Sequence, residues 1–162
     1  MCNQVEIVLN NERCWDKRWL KYFSQHRASF HFRPSDSREI SNLIQNDEAP
    51  LMKSNESGDV YDILFNKICV GLLFVTPYEN NVDAEISIAI LDDYTGKSIA
   101  SRAIQLYISQ TAYSKIYGVV YGENQYRKQM NHIFLKTGFH EVNGLDKIEE
   151  NDITREWCID IR

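Results

Sequence analysis

The 162-residue sequence contains no apolar stretch approaching the roughly 20 residues of a membrane-spanning helix. It has no excess of positive charge. The 18 lysines and arginines stand against 23 aspartates and glutamates, a net charge of −5, so no basic stripe is available to a nucleic-acid backbone. The same balance is compatible with a cationic ligand. The opening residues MCNQVEIVLNNERCW carry neither the basic nor the apolar segment of a signal peptide. Cysteine is sparse: Cys2, Cys14, Cys69 and Cys158 form no C-x-x-C pair. Cys69 and Cys158 fall in apolar strand patterns, which reads as buried free thiols in a reducing, cytoplasmic compartment. His26, His31, His132 and His140 have no ligand spacing, so no metal is expected. A nucleophile elbow, G-x-S-x-G, is missing too. With 3 prolines and 7 glycines there is no linker-like tract, and residues 1–162 read as a single domain.

What is present begins with a near miss. In ILDDYTGKSIASRAI, Gly96-Lys97-Ser98 resembles the end of a nucleotide-binding P-loop. That loop needs another glycine five residues earlier, and the position is Leu91. A leucine does not readily supply the positive φ of a phosphate nest, so an NTPase is not expected. The stretch still reads as a strand, a polar turn and a helix start from about Gly96, an arrangement that offers unpaired amides to an anion.

Hydrophobic periodicity organises the rest. Val5 to Leu9 reads as a strand, and a helix capped by Asp16 reads to about Ser24, with Trp15, Trp19, Tyr22 and Phe23 at helical spacing. Pro34 and Ser35 open a helix pattern with Ile40, Leu43 and Ile44 on one face, and residues 46–58 read as a loop. VYDILFNKICVGLLFVT is two strands joined at Asn66-Lys67. DAEISIAIL alternates, with Ile86, Ile88 and Ile90 on one face and Glu85 on the other. The next helix runs to about Thr111 with the stripe Ile99, Ala100, Ala103, Ile104, Tyr107 and Ile108. KIYGVVYG is a strand, Tyr126, Met130, Ile133 and Phe134 mark a helix ending at Gly138, and REWCIDI is a last strand near a sheet edge. The order predicts an α/β domain with a mixed, mostly antiparallel central sheet flanked by helices.

The run from AEISIAILDDYTGKSIASRAIQLYI through YGVVYGEN to FLKTGF resembles the GNAT superfamily of acyl-CoA N-acyltransferases, in particular spermidine and ribosomal-protein N-terminal acetyltransferases. The resemblance covers roughly 59–142. It implies that Thr95 to Ala100 stand for the family loop R/Q-x-x-G-x-G/A, with Gly96, Lys97, Ser98, Ile99 and Ala100 cradling the pyrophosphate of acetyl-CoA on backbone amides. Thr95 and Ser98 depart from that pattern. It also implies that the strand backbone at Ile90 and Leu91 pairs with the pantetheine arm and that Asn124 contacts the cofactor. The spacing from Asn124 to Gly138 is about one helical turn longer than the family's, so the helix between them is expected to start differently. Phe134 stands where the family often has a tyrosine that protonates the departing thiolate; Tyr121, Tyr126 and His132 are the substitutes nearby.

For catalysis the resemblance singles out Glu85 as the base that takes a proton from the attacking amine, against the plain alternative of a solvated strand carboxylate. Tyr78, Glu79 and Asp83 are candidates for an acidic acceptor mouth. The implied function is acetyl transfer from acetyl-CoA to a primary amine of a small molecule by direct attack in a ternary complex. The alternatives are N-terminal acetylation of a protein, or a non-catalytic module that binds coenzyme A or a partner. A homodimer is left open; nucleic acid and membrane are not expected partners.

Overall fold

The computed structural model describes residues 3–10, 17–26, 58–142 and 153–161. Strand β1 is Val5–Leu9 and helix α1 is Lys17–Gln25. The helix expected from Pro34, the loop expected over 46–57, the Asp16 cap, Trp15, His31, Cys2 and Cys14 lie outside the described residues.

Strands β2 (Asp59–Phe65) and β3 (Ile68–Pro77) form the expected antiparallel hairpin. Asn66 and Lys67 sit at φ 50° and 71°, the left-handed pair that a two-residue turn with the right twist demands. Strand β4 (Asp83–Ile90) returns antiparallel to β3, and Asn80 builds the turn between them. Its Oδ1 accepts the N–H groups of Val82 and Asp83, and its Nδ2 donates to the Asp83 carboxylate.

A single 3-10 turn (Asp92–Tyr94) leads to helix α2, Ile99–Gln110. The helix starts three residues later than expected because Gly96 and Ser98 hold φ of +75° and +61°, values that no α-helical residue adopts. Strand β5 (Lys115–Val120) pairs parallel with β4, the only parallel pair among the described strands. Helix α3 (Arg127–Lys136) follows. Just before it the Asn124 Oδ1 accepts the Tyr126 N–H at 2.8 Å. The helix ends in a Schellman motif: Phe139 N–H bonds Phe134 C=O, Gly138 N–H bonds Leu135 C=O, and Gly138 has φ +99°. The two phenyl rings then pack at 4.8 Å, the apolar contact that accompanies this cap.

Strand β6 is two residues, His140–Glu141, too short to leave a periodic signature, and β7 is Arg155–Asp160. The seven strands lie in the order β1-β2-β3-β4-β5-β7-β6, so β7 is next to an edge. The main core lies under α2, where Ile99, Ala103, Ile104 and Tyr107 meet Ile86, Ile116 and Val120. Each such aliphatic burial contributes about 1.5–3 kcal/mol. On the second core patch, Trp19 and Tyr22 of α1 cover Val60, Leu72 and Ala89. Cys158 is buried and Cys69 half-buried, both as free thiols. No helix among the described residues is long and apolar enough to cross a membrane.

Candidate active site

The site follows from where β4 and β5 part. They pair from Asp83 to Ile86, opposite Lys115 to Gly118, and no further. Beyond that point β4 still pairs with β3, where the Leu91 N–H bonds the Val70 carbonyl at 2.9 Å. Amide direction alternates along a strand, so Ile88 and Ile90 turn their backbone groups away from β3 and into the gap left by β5. The Tyr22 hydroxyl accepts a hydrogen bond from the Ile90 amide. Leu91 is differently placed: its N–H is taken by Val70 and its C=O by the Tyr94 N–H. Its N–H is thus turned to β3 and away from the gap, and Ile88 is a gap-facing residue that pattern reading missed.

The gap opens into a cleft of about 390 Å³ between the β4 end, the start of α2 and the side of α3. Gly96, Ser98, Ile99 and Ala100 line it, together with Ile90 and Asn124. Lys97 does not. It lies over the Tyr94 ring at 5.5 Å. Gly96 and Ser98 hold left-handed φ on either side of Lys97, and the helix start that follows leaves its first N–H groups without intrahelical partners. Nothing lies within 4 Å of a Cβ built on Gly96, so φ alone favours glycine there. Ser98 makes no side-chain cap bond. With its Oδ1 spent on Tyr126, Asn124 has its Nδ2 donors to offer. Met130 and Ile133 of α3 are only half-buried because they wall this cleft; His132 and Lys136 add polar and basic groups to it.

A second cavity of about 180 Å³ adjoins the first, sharing Ile88, Asn124 and Met130 with it. Glu85 and Tyr121 line it, with Phe134 as part of its wall. Burial raises the Glu85 carboxyl above its ordinary range, Glu156 raises it further, and a hydrogen bond from Tyr78 opposes both. Burial and the Glu85 charge raise Tyr121, which keeps its phenol protonated at neutral pH. Of the three candidate proton donors, Tyr121 thus shares a cavity with Glu85. Tyr126 instead gives its hydroxyl to Asp92 at 2.7 Å, and His132 belongs to the larger cleft. Phe134 is buried against Trp157 and Phe139, and its ring lies over Gly118, where an added Cβ would come within 2.3 Å of the ring. Tyr78 packs edge-on against Tyr117 at 5.2 Å, Glu79 is exposed, and Asp83 serves the β3–β4 turn. Among the described residues no group of three or more His, Cys, Asp or Glu could hold a metal ion.

No protein-family model matches the sequence, and no curated protein matches it. Solved structures do match. Spermidine N-acetyltransferase from Vibrio cholerae, in complex with CoA and spermine, is 18% identical with a TM-score of 0.59, covering 97% of this chain and 95% of its own. The ribosomal L7/L12 alpha-N-protein acetyltransferase in complex with coenzyme A is 12% identical with a TM-score of 0.63, over 98% and 95%. An acetyltransferase from Thermus thermophilus is 16% identical with a TM-score of 0.59, over 98% and 99%. The chain has the GNAT fold. The parting of β4 from β5 is the feature of this GNAT fold that makes room for a ligand along a strand, and the fold agrees with the mixed sheet expected from the sequence.

Proposed function

We propose that the protein is an N-acetyltransferase that moves an acetyl group from acetyl-CoA to a primary amine of a small molecule. One observation carries the reading: the cleft at the Gly96–Ala100 turn adjoins the cavity that holds the half-buried Glu85 carboxylate, the two sharing Ile88, Asn124 and Met130 as common wall. The groups present fit coenzyme A. The helix start offers N–H donors suited to a pyrophosphate, the strand edge offers an amide donor and acceptor to an extended amide-containing arm, and Lys136 and His132 stand at the cleft wall.

Bound there, acetyl-CoA supplies the acyl group as an activated thioester. The chain's own residues do the rest. Ile88 N–H is a fixed donor for a carbonyl in the gap, and such preorganised donors favour developing negative charge. Glu85, held above the usual carboxylate range, accepts a proton from an ammonium and frees its lone pair. Tyr121 holds a proton at its hydroxyl for a departing thiolate. Direct attack with both substrates bound needs only that amine and thioester be held together, and positioning supplies much of the rate.

The test is free-thiol release from acetyl-CoA over a panel of polyamines, amino sugars, aminoglycosides, amino acids and short peptides, alongside thermal shifts. Turnover with small amines, and stabilisation by acetyl-CoA but not by ATP or GTP, is the expected result. A ligand at 100 times its dissociation constant adds about 2.7 kcal/mol. Turnover confined to peptides would move the acceptor to protein N-termini; binding without turnover on any amine would leave a coenzyme A module.

A further inference from the structure

Three segments border the mouth of the larger cleft: the end of α1, the turn after β4 and the turn between β5 and α3. One buried side chain joins them. His26, just past α1, is 6% exposed. Its Nε2 lies 3.3 Å from Asp92 Oδ2 and 3.2 Å from Asp92 Oδ1. Its Nδ1 lies 3.0 Å from the amide nitrogen of Gln125. That amide nitrogen can only donate, so Nδ1 accepts and Nε2 carries the proton given to Asp92. Asp92 also accepts the Tyr126 hydroxyl. The Tyr22 ring, one turn back along α1, packs on the imidazole at 4.3 Å, and its hydroxyl meets the Ile90 amide.

These contacts matter because α1 is short. A helix of nine residues is marginal in water on its own, so side-chain anchors must hold it. Trp19 and Tyr22 are anchored on the core patch, and Tyr22 also meets the cleft-lining Ile90; His26 is anchored on Asp92 and Gln125, which stand in the two connections that carry cleft-lining residues. Asp92 precedes the Gly96–Ala100 turn in the same short connection, and Gln125 follows Asn124 directly.

We propose that His26 is a positioning residue that couples the order of α1 to occupation of the donor cleft. The inference rests on reading that cleft as a coenzyme A site. A ligand held by the Gly96–Ala100 turn and Asn124 steadies the two connections that carry Asp92 and Gln125. His26 is bonded to both through its two ring nitrogens and passes that constraint to the helix. The coupling is reciprocal: whatever fixes α1 strengthens ligand binding by the same factor.

Coenzyme A alone is the probe, measured by calorimetry and by hydrogen exchange of residues 17–26. In the wild type coenzyme A is expected to slow exchange in this segment. His26→Ala should abolish the slowing and weaken binding by about tenfold, the scale of one hydrogen bond to a charged group. His26→Gln, whose amide can donate to Asp92 and accept from Gln125, should keep most of both. Gln125→Ala truncates an exposed side chain that bonds His26 and the Tyr126 hydroxyl; with an unchanged melting temperature it should reproduce the loss of slowing, which guards against an unfolded His26 variant. Binding of coenzyme A with unchanged exchange in α1, or equal affinity in the wild type and both alanine variants, overturns the inference alone. If the wild type does not bind coenzyme A, the donor-site reading falls and takes this inference with it.

Discussion

Of the two adjoining cavities, the Gly96 end offers a ligand chiefly backbone amides; the Glu85 end offers side chains whose protonation decides what they can do. The first end is held by φ values of +75° and +61° and by the start of a well-buried helix, so residue identity matters there mainly through the conformations it permits. The second depends on the identity of Glu85 and Tyr121 and on charges brought from other strands, Glu156 of β7 among them. A backbone-built site tolerates substitution and loses little when one side chain changes. A side-chain site fails when one group is removed. The two ends should therefore separate cleanly under mutation.

The largest effect is expected at Glu85. Glu85→Gln keeps the shape and removes the proton acceptor, so turnover should fall by about 10²-fold, the lower end of general-base effects. Coenzyme A affinity should stay the same, because the donor end is untouched. Residual activity should rise with pH as free amine replaces ammonium in solution. The same variant tests the electrostatics without turnover. The folded protein raises the Glu85 carboxyl above its reference value of 4.5, so folding favours the protonated form. The associated stability is fully present below that value and is lost as pH rises through the folded-state pKa. Melting temperature should therefore decline more steeply with rising pH in the wild type than in Glu85→Gln. Equal turnover and parallel melting curves would make Glu85 a solvated strand residue.

The contrast between the two ends also accounts for what could be read from the sequence. The Asn66-Lys67 hairpin and the Gly138 helix stop were legible because each is decided by a few adjacent residues. The Gly96 turn was legible for the same reason, and Ser98 only shifted the helix start. The face carried by Glu85 followed from alternation along β4. What alternation could not give is the point where β5 leaves β4, which selects Ile88 and passes over Leu91. Nor could it give the bonds of His26, whose partners lie 66 and 99 residues away and whose contacts are made only by the tertiary fold. Tyr22 was expected in the core and is there, yet the same side chain reaches the cleft.

A middle-sized effect is expected at the joint between the two ends. Gly118 is the last β5 residue paired with β4, and the Phe134 ring lies directly over it. A methyl group there would come within 2.3 Å of a ring that Phe139 and Trp157 already confine. Gly118→Ala should cost about 1–3 kcal/mol by overpacking, read as a lower denaturant midpoint with an unchanged slope. Because Phe134 walls the Glu85 cavity and not the Gly96 turn, turnover should suffer more than coenzyme A affinity. Equal losses at both would mean that the ends are not separable and that the joint holds one site.

The smallest effect is expected at Ser98, and its sign is the informative part. The residue sits at φ +61°, a conformation that carries a Cβ penalty of roughly 1–2 kcal/mol per residue. Serine usually repays a position before a helix by capping it, but Ser98 makes no side-chain cap bond. Replacing it with glycine removes the penalty and forfeits no bond, while the greater freedom of glycine in the unfolded chain takes back part of the gain. Ser98→Gly should thus stabilise the protein by up to about 1 kcal/mol. It should leave coenzyme A binding unchanged or slightly tighter, since the amides stay in place and the backbone becomes easier to approach. Turnover at saturating donor should not move, because Glu85 and Tyr121 are untouched. Weaker binding in Ser98→Gly would mean that the serine hydroxyl itself contacts the ligand, and the Gly96 end would then join the Glu85 end as a site made by side chains.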